Sequence, residues 1–185
     1  QEKQQVDLTG VMSNSNDQLK VRFSEFDLGS FAGITKPKGI LLEGALNGNI
    51  AINSVFKNPQ MSANIRTSPI RYNDMEIGSF MLNADYQPNE ELVQVEVALQ
   101  NELQQGFQLA GTYNLAAAEQ ALNLKGQLHK TNLRMVQPFL KSLATGIEGQ
   151  VSGDVHISGT LQRPSFSGLA TLNQTAFQVN YLKTA

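Results

Sequence analysis

Apolar and polar residues alternate with a period of two along most of this chain. Leu19, Val21 and Phe23 are separated by polar residues, and so are Leu46, Ile50 and Ile52, with Gly48 interrupting. Phe80, Leu82, Ala84 and Tyr86 continue the pattern, which is cleanest at Val93, Val95, Val97 and Leu99. Phe107, Leu109, Gly111 and Tyr113 follow, then Leu122, Leu124 and Leu128 around Gly126, and Phe177, Val179 and Tyr181 near the end. In an extended chain successive side chains point to opposite faces, so this spacing predicts strands with one apolar and one wet face. Turn residues separate the runs: Gln87-Pro88-Asn89-Glu90, Asn101 to Gly106, and Asn114 to Gln120. The stretch from Phe80 to Leu128 therefore reads as a four-strand antiparallel meander.

One segment departs from period two. Leu133, Val136, Phe139, Leu140 and Leu143 fall at helical spacing and predict a short amphipathic helix around 132–144. Thr131 or Asn132 caps its start, Pro138 begins or kinks it, and Gly146 marks its end.

A repeat emerges at an offset of 105 residues. Gly44-Ala45-Leu46-Asn47-Gly48-Asn49-Ile50-Ala51-Ile52 leads to Asn58-Pro59, and Gly149-Gln150-Val151-Ser152-Gly153-Asp154-Val155-His156-Ile157 leads to Arg163-Pro164. Met61 and Ala63 then match Phe166 and Gly168. The unit, at about 44–70 and 149–182, is a strand, a Pro-bearing turn and a return strand used twice. Residues 1–185 read as one elongated β-rich segment of a longer protein, since both ends break off abruptly.

Composition narrows the function classes. Charged residues are 16% of the chain and net charge is −2, without the clustered cations that nucleic-acid binding requires. There is no cysteine, so disulfides and thiolate metal sites are excluded. His129 and His156 are far apart, and His156 lies on the polar parity of its strand, where a solvent-facing role outweighs metal ligation. Glu90-Glu91 sits in a turn, Lys36-Pro37-Lys38 reads as another, and no phosphate-binding loop, His-Glu-x-x-His or EF-hand spacing occurs. Nothing converges on a reactive group, so neither an enzyme nor a cofactor is expected. No run reaches the ~20 apolar residues of a membrane-spanning helix.

An array of strands with one apolar face must have that face covered. A single helix is too little for about ten strands. Alternation leaves two solutions open: a closed sandwich core, as in a structural or adhesin-type β repeat, or a curled, trough-like sheet. Aromatic residues are 7%, so either interior is mainly aliphatic, and a trough of that kind suits acyl chains.

The run Asn132-Leu133-Arg134-Met135-Val136-Gln137-Pro138-Phe139-Leu140, the segment Gly149 to Pro164 with its Gly-Thr-Leu-x-x-Pro, Gly168-Leu169-Ala170, and Phe177 to Leu182 together resemble the C-terminal region of TamB/AsmA-like translocation and assembly proteins in their Bacteroidota-like form. The resemblance covers 132–182 and, through the repeat, 40–70. It implies a curled antiparallel-rich sheet, a β-taco, with an apolar groove. The lining would be Leu46, Ile50, Ile52, Val93, Val95, Val97, Leu99, Phe107, Leu109, Leu122, Leu124, Val155, Ile157, Phe177 and Val179. It further implies an inner-membrane-anchored periplasmic protein of Gram-negative outer-membrane biogenesis. Phospholipid acyl chains or outer-membrane-protein segments would be its cargo. An outer-membrane barrel assembly protein would be its partner, met through regions outside this fragment. The family brings no catalytic residues.

Overall fold

The computed structural model describes residues 4–11, 13, 17–54, 59–73, 75–134 and 144–179. Twelve strands form along these residues: β1 Gln5–Val11, β2 Gln18–Asp27, β3 Leu42–Glu43, β4 Ala45–Asn53, β5 Gln60–Thr67, β6 Ile70–Tyr72, β7 Met75–Gln87, β8 Leu92–Gln100, β9 Gly106–Asn114, β10 Leu122–Asn132, β11 Ala144–Gly159 and β12 Pro164–Val179. They make one antiparallel sheet, in the order β1-β2-β4-β5-β7-β8-β9-β10-β11-β12, that does not close into a barrel. The short strands β3 and β6 pair with each other beside this path, and β6 also pairs with β7. The predicted mainly β, antiparallel-rich class is therefore the observed one, and β7 to β10 are the predicted meander.

Local chemistry explains the hairpins. The Asn101 carboxamide oxygen accepts the amides of Leu103 and Gln105 at 3.0 and 2.9 Å, closing the β8–β9 turn as an Asx turn. Asn114 does the same for Ala116 and Ala117 in the longer β9–β10 connection. Between β2 and β3 the chain is helical, as short pieces over Leu28–Phe31, Ala32–Thr35 and Lys36–Lys38. Asp27 caps this connector by accepting the Gly29 amide at 2.8 Å, and Gly39, at φ +71°, ends it. The pattern of residues 28–38 did not predict this connector, and its Lys36-Pro37-Lys38 is a 3₁₀ turn.

For the helix expected around 132–144, Asn132 closes β10, Leu133 and Arg134 are helical, and residues 135–143 lie outside those described. The Asn132 side chain accepts the Arg134 amide at 3.0 Å, the predicted capping role. The expected end at Gly146 is wrong: β11 already begins at Ala144. Pairing with the long strand β12 draws the backbone into the ladder before that glycine is reached.

The chain exposes 12483 Å². A compact monomer of 20.2 kDa exposes about 8,800 Å², so this chain exposes more surface than a close-packed globule of its mass. The buried apolar side chains among the described residues are few: Leu28, Ile65, Ile70, Ala98, Leu99, Ala121, Leu122, Leu133 and Val151. Leu28 and Leu133 each begin a helical stretch immediately after a strand.

Candidate functional site: a continuous apolar sheet face

In an antiparallel sheet, directly paired residues share a face. Following the printed register from strand to strand joins the alternating residues into rows running across the sheet. One row is Val6, Phe23, Gly48, Ile65, Leu82, Val97, Leu109, Gly126, Val155 and Gly168. The next is Leu8, Val21, Ile50, Ala63, Ala84, Val95, Gly111, Leu124, Ile157 and Phe166. Each row crosses all ten strands of the main path and contains no polar side chain. With strands ~4.8 Å apart, each spans on the order of 43 Å.

Flanking rows are shorter and bound the face. Phe80, Leu99, Phe107, Leu128, Gly153 and Ala170 pair in sequence on one side. Tyr86, Val93, Tyr113, Leu122 and Gly159 pair on the other. Leu46 pairs with Phe26 and Thr67, and Ile52 with Leu19 and Met61.

The opposite face carries the other parity. One of its rows reads Asp7, Arg22, Asn49, Asn64, Asn83, Glu96, Ala110, Lys125, His156 and Ser167. The Asn64 carboxamide donates to Asn83, and Asn83 donates to Glu96 at 3.0 Å, so this face is laced by side-chain hydrogen bonds. His156 Nε2 lies 3.0 Å from the Asn123 carboxamide oxygen on the same face. Among the described residues, no three His, Asp or Glu side chains gather in a way that could hold a metal ion.

The structure thus gathers thirteen of the fifteen proposed lining residues, all but Phe177 and Val179, onto one parity of one sheet. Leu46, Ile50, Ile52, Val93, Val95, Val97, Phe107, Leu109, Leu124, Val155 and Ile157 are half-buried. Side chains filling a closed sandwich core would be shut off from solvent; these keep part of their surface. Leu99 and Leu122, at 6% and 7% exposure, are buried and lie in the two opposite flanking rows. Phe177 and Val179 lie in the backbone of β12, and their side chains are outside those described. Val21, Ile65, Leu82 and Gly111 join the rows without having been proposed as lining; Val21, Leu82 and Gly111 stood in alternating runs and Ile65 in none, and only the register shows whom they face.

Glycine takes part in these rows for a steric reason. At Gly111, φ +156°, a Cβ would stand 2.0 Å from the Asn123 carbonyl oxygen, and at Gly153, φ +150°, 2.1 Å from the Leu169 carbonyl. Each lets neighbouring backbone approach where any side chain would collide.

No helix among the described residues is long and apolar enough to cross a membrane, which says nothing of crossing by strands. Comparison with protein-family models, with curated proteins and with solved structures finds no match for this chain.

Proposed function

We propose that this chain is the β-trough segment of a TamB/AsmA-like periplasmic protein, sheltering phospholipid acyl chains as they pass between the inner and outer membranes. The observation that supports this reading is the pair of unbroken apolar rows from β1 to β12, half-buried over the middle strands. Exposing an acyl chain of ~16 methylenes to water costs on the order of 13 kcal/mol. A continuous aliphatic strip removes most of that cost at every point along its length and needs no specific polar contact. Outer-membrane-protein segments with the same alternation are a second cargo of this kind. The anchor in the inner membrane and the contact with an outer-membrane barrel assembly protein belong to regions outside residues 1–185 in this reading, and the sequence resemblance supports them.

The test is photo-crosslinking in Gram-negative cells, with the probe placed at Val95 or Leu109 on the apolar face and at Gln94 or Glu96 on the polar face. Lipid adducts should form from the first pair. Adducts formed only from the second pair would sink the proposal. Native mass spectrometry of the purified chain should show bound phospholipid that is lost on Val95→Arg.

A further inference from the structure

The connector between β2 and β3 differs in composition from the strands around it. From Leu28 to Leu42 it contains six large apolar residues, two lysines and no acidic residue. Several of its apolar side chains do not pack inward. Ile34 is 68% exposed, Phe31 and Leu41 are each 42% exposed, and Lys36 is exposed as well. The acidic residues that flank the segment are already engaged: Asp27 accepts the Gly29 amide, and Glu43 lies 3.8 Å from Arg71.

Its backbone is nevertheless held in place. The Leu28 amide donates to the Gly44 carbonyl at 2.9 Å, and the Gly39 and Ile40 amides donate to the Lys36 and Thr35 carbonyls at 2.9 and 3.1 Å. Asn73, in the turn between β6 and β7, clamps the far end. Its side chain accepts the Leu41 amide at 2.7 Å and donates to the Gly39 carbonyl at 2.9 Å, and its own amide donates to the Leu41 carbonyl at 3.0 Å. A loop whose backbone groups are paired internally can bring its side chains into an apolar medium without stranding polar atoms there. The loop is also joined to the apolar face. The Phe31 ring lies 5.5 Å from that of Phe26, which lies 6.0 Å from that of Phe23, a member of one of the two rows that cross the sheet.

We infer that the connector 28–42 is an interfacial loop that seats on an anionic lipid bilayer. Ile34, Phe31 and Leu41 enter the acyl boundary, and the charges of Lys36 and Lys38 are attracted to headgroup phosphates. Apolar tips beside cations, with no acid between them, fit that surface on both counts. A second copy of this chain is a poorer occupant: the three exposed side chains offer on the order of 300 Å², under half of the ~800 Å² per partner that a stable dimer buries. If the trough reading holds, the line Phe31, Phe26, Phe23 is where an acyl chain leaves the bilayer for the sheet; that step rests on the trough reading, whereas the seat on the bilayer does not.

The test is flotation of the 185-residue chain with vesicles of one part phosphatidylglycerol to three parts phosphatidylcholine, and with phosphatidylcholine alone. Binding should favour the anionic vesicles and weaken with added salt. Ile34→Asp should cut it about tenfold, Ile34→Leu should keep it, and Lys36→Ser should cut it about fivefold on anionic vesicles only. Circular dichroism should not change, because both positions are exposed. The chain has no cysteine, so Ile34→Cys and Leu115→Cys each accept one environment-sensitive dye; Leu115 is exposed in the β9–β10 connection, at the other end of the strands. Vesicles should shift the dye at 34 to the blue and leave that at 115 unmoved. Three results would overturn the inference: no binding to anionic vesicles, binding that leaves the dye at 34 in water, or a blue shift at 34 that grows with protein concentration without vesicles, which would make a second copy the occupant. Seating through residue 34 without lipid adducts at Val95 would keep this inference and lose the trough; adducts at Val95 with vesicle binding indifferent to Ile34→Asp would do the reverse.

Discussion

Glu25 and Lys130 occupy the same place in two copies of one β-bulge. Each stands at positive φ, +47° and +42°, where its strand slips register against the next, between Phe23 and Phe26 and between Leu128 and Thr131. Each donates its amide to a side chain on that next strand, Glu25 to Asn47 and Lys130 to Ser152, both at 2.9 Å. Two residues further on, Asp27 and Asn132 cap a helical turn, and the following leucines, Leu28 and Leu133, are buried. The repeated unit is therefore larger than a hairpin. It comprises a bulged strand, a capped helical turn, a long strand and its return, over β2-β4-β5 and again over β10-β11-β12.

This bulge gives a matched prediction. Ser152→Ala removes the acceptor of the Lys130 amide and should cost about 1 kcal/mol, with faster hydrogen exchange at that amide. Lys130→Gly should act in the opposite direction, stabilising by roughly 0.5–1 kcal/mol through relief of the left-handed backbone. Urea denaturation of both variants checks the signs.

The half-buried state of the apolar face can be measured directly. Val95→Arg should cost less than about 1.5 kcal/mol, because the arginine stem can lie along the face with its guanidinium in water. Leu99→Arg, at a buried position, should cost more than about 3 kcal/mol because its charge has no route to solvent. Equal, large losses in the two denaturation curves would mean that the face is shut as a core.

The close-approach glycines should be intolerant in proportion to their surroundings. Gly111→Ala places a methyl 2.0 Å from the Asn123 carbonyl oxygen and should lose about 2 kcal/mol or more. Gly33→Ala lies in the helical connector with nothing within 4 Å of the new Cβ, and should gain roughly 0.5–1 kcal/mol from helix propensity. Thermal unfolding separates the two.

Thr131 is fully buried, and its hydroxyl donates to the Gly106 carbonyl. Thr131→Val keeps the shape and removes the donor, leaving that carbonyl without this partner in a buried place. A loss of about 1–2 kcal/mol is expected, read as a lower urea midpoint with unchanged slope.

The strands, their two faces and the hairpin part of the repeat were legible in the sequence, because period-two alternation and turn residues are local signals. The repeated bulge and caps were not, because different residues fill the same role: Glu25 and Lys130, Asn47 and Ser152, Asp27 and Asn132. Leu28 and Leu133, preceded in each case by a good capping residue, were the available clue. The connector at 28–38 was missed because its short pieces, broken by Gly29, Gly33 and Pro37, never complete the turns that an apolar periodicity needs. Alternation by itself determined that an apolar face exists. Only the tertiary structure decided that Val95 lies in one row with Ala84 and Gly111, and that the rows run unbroken across the ten strands of the main path. Register is a relation between strands, set by turn lengths and bulges, and no single strand contains it.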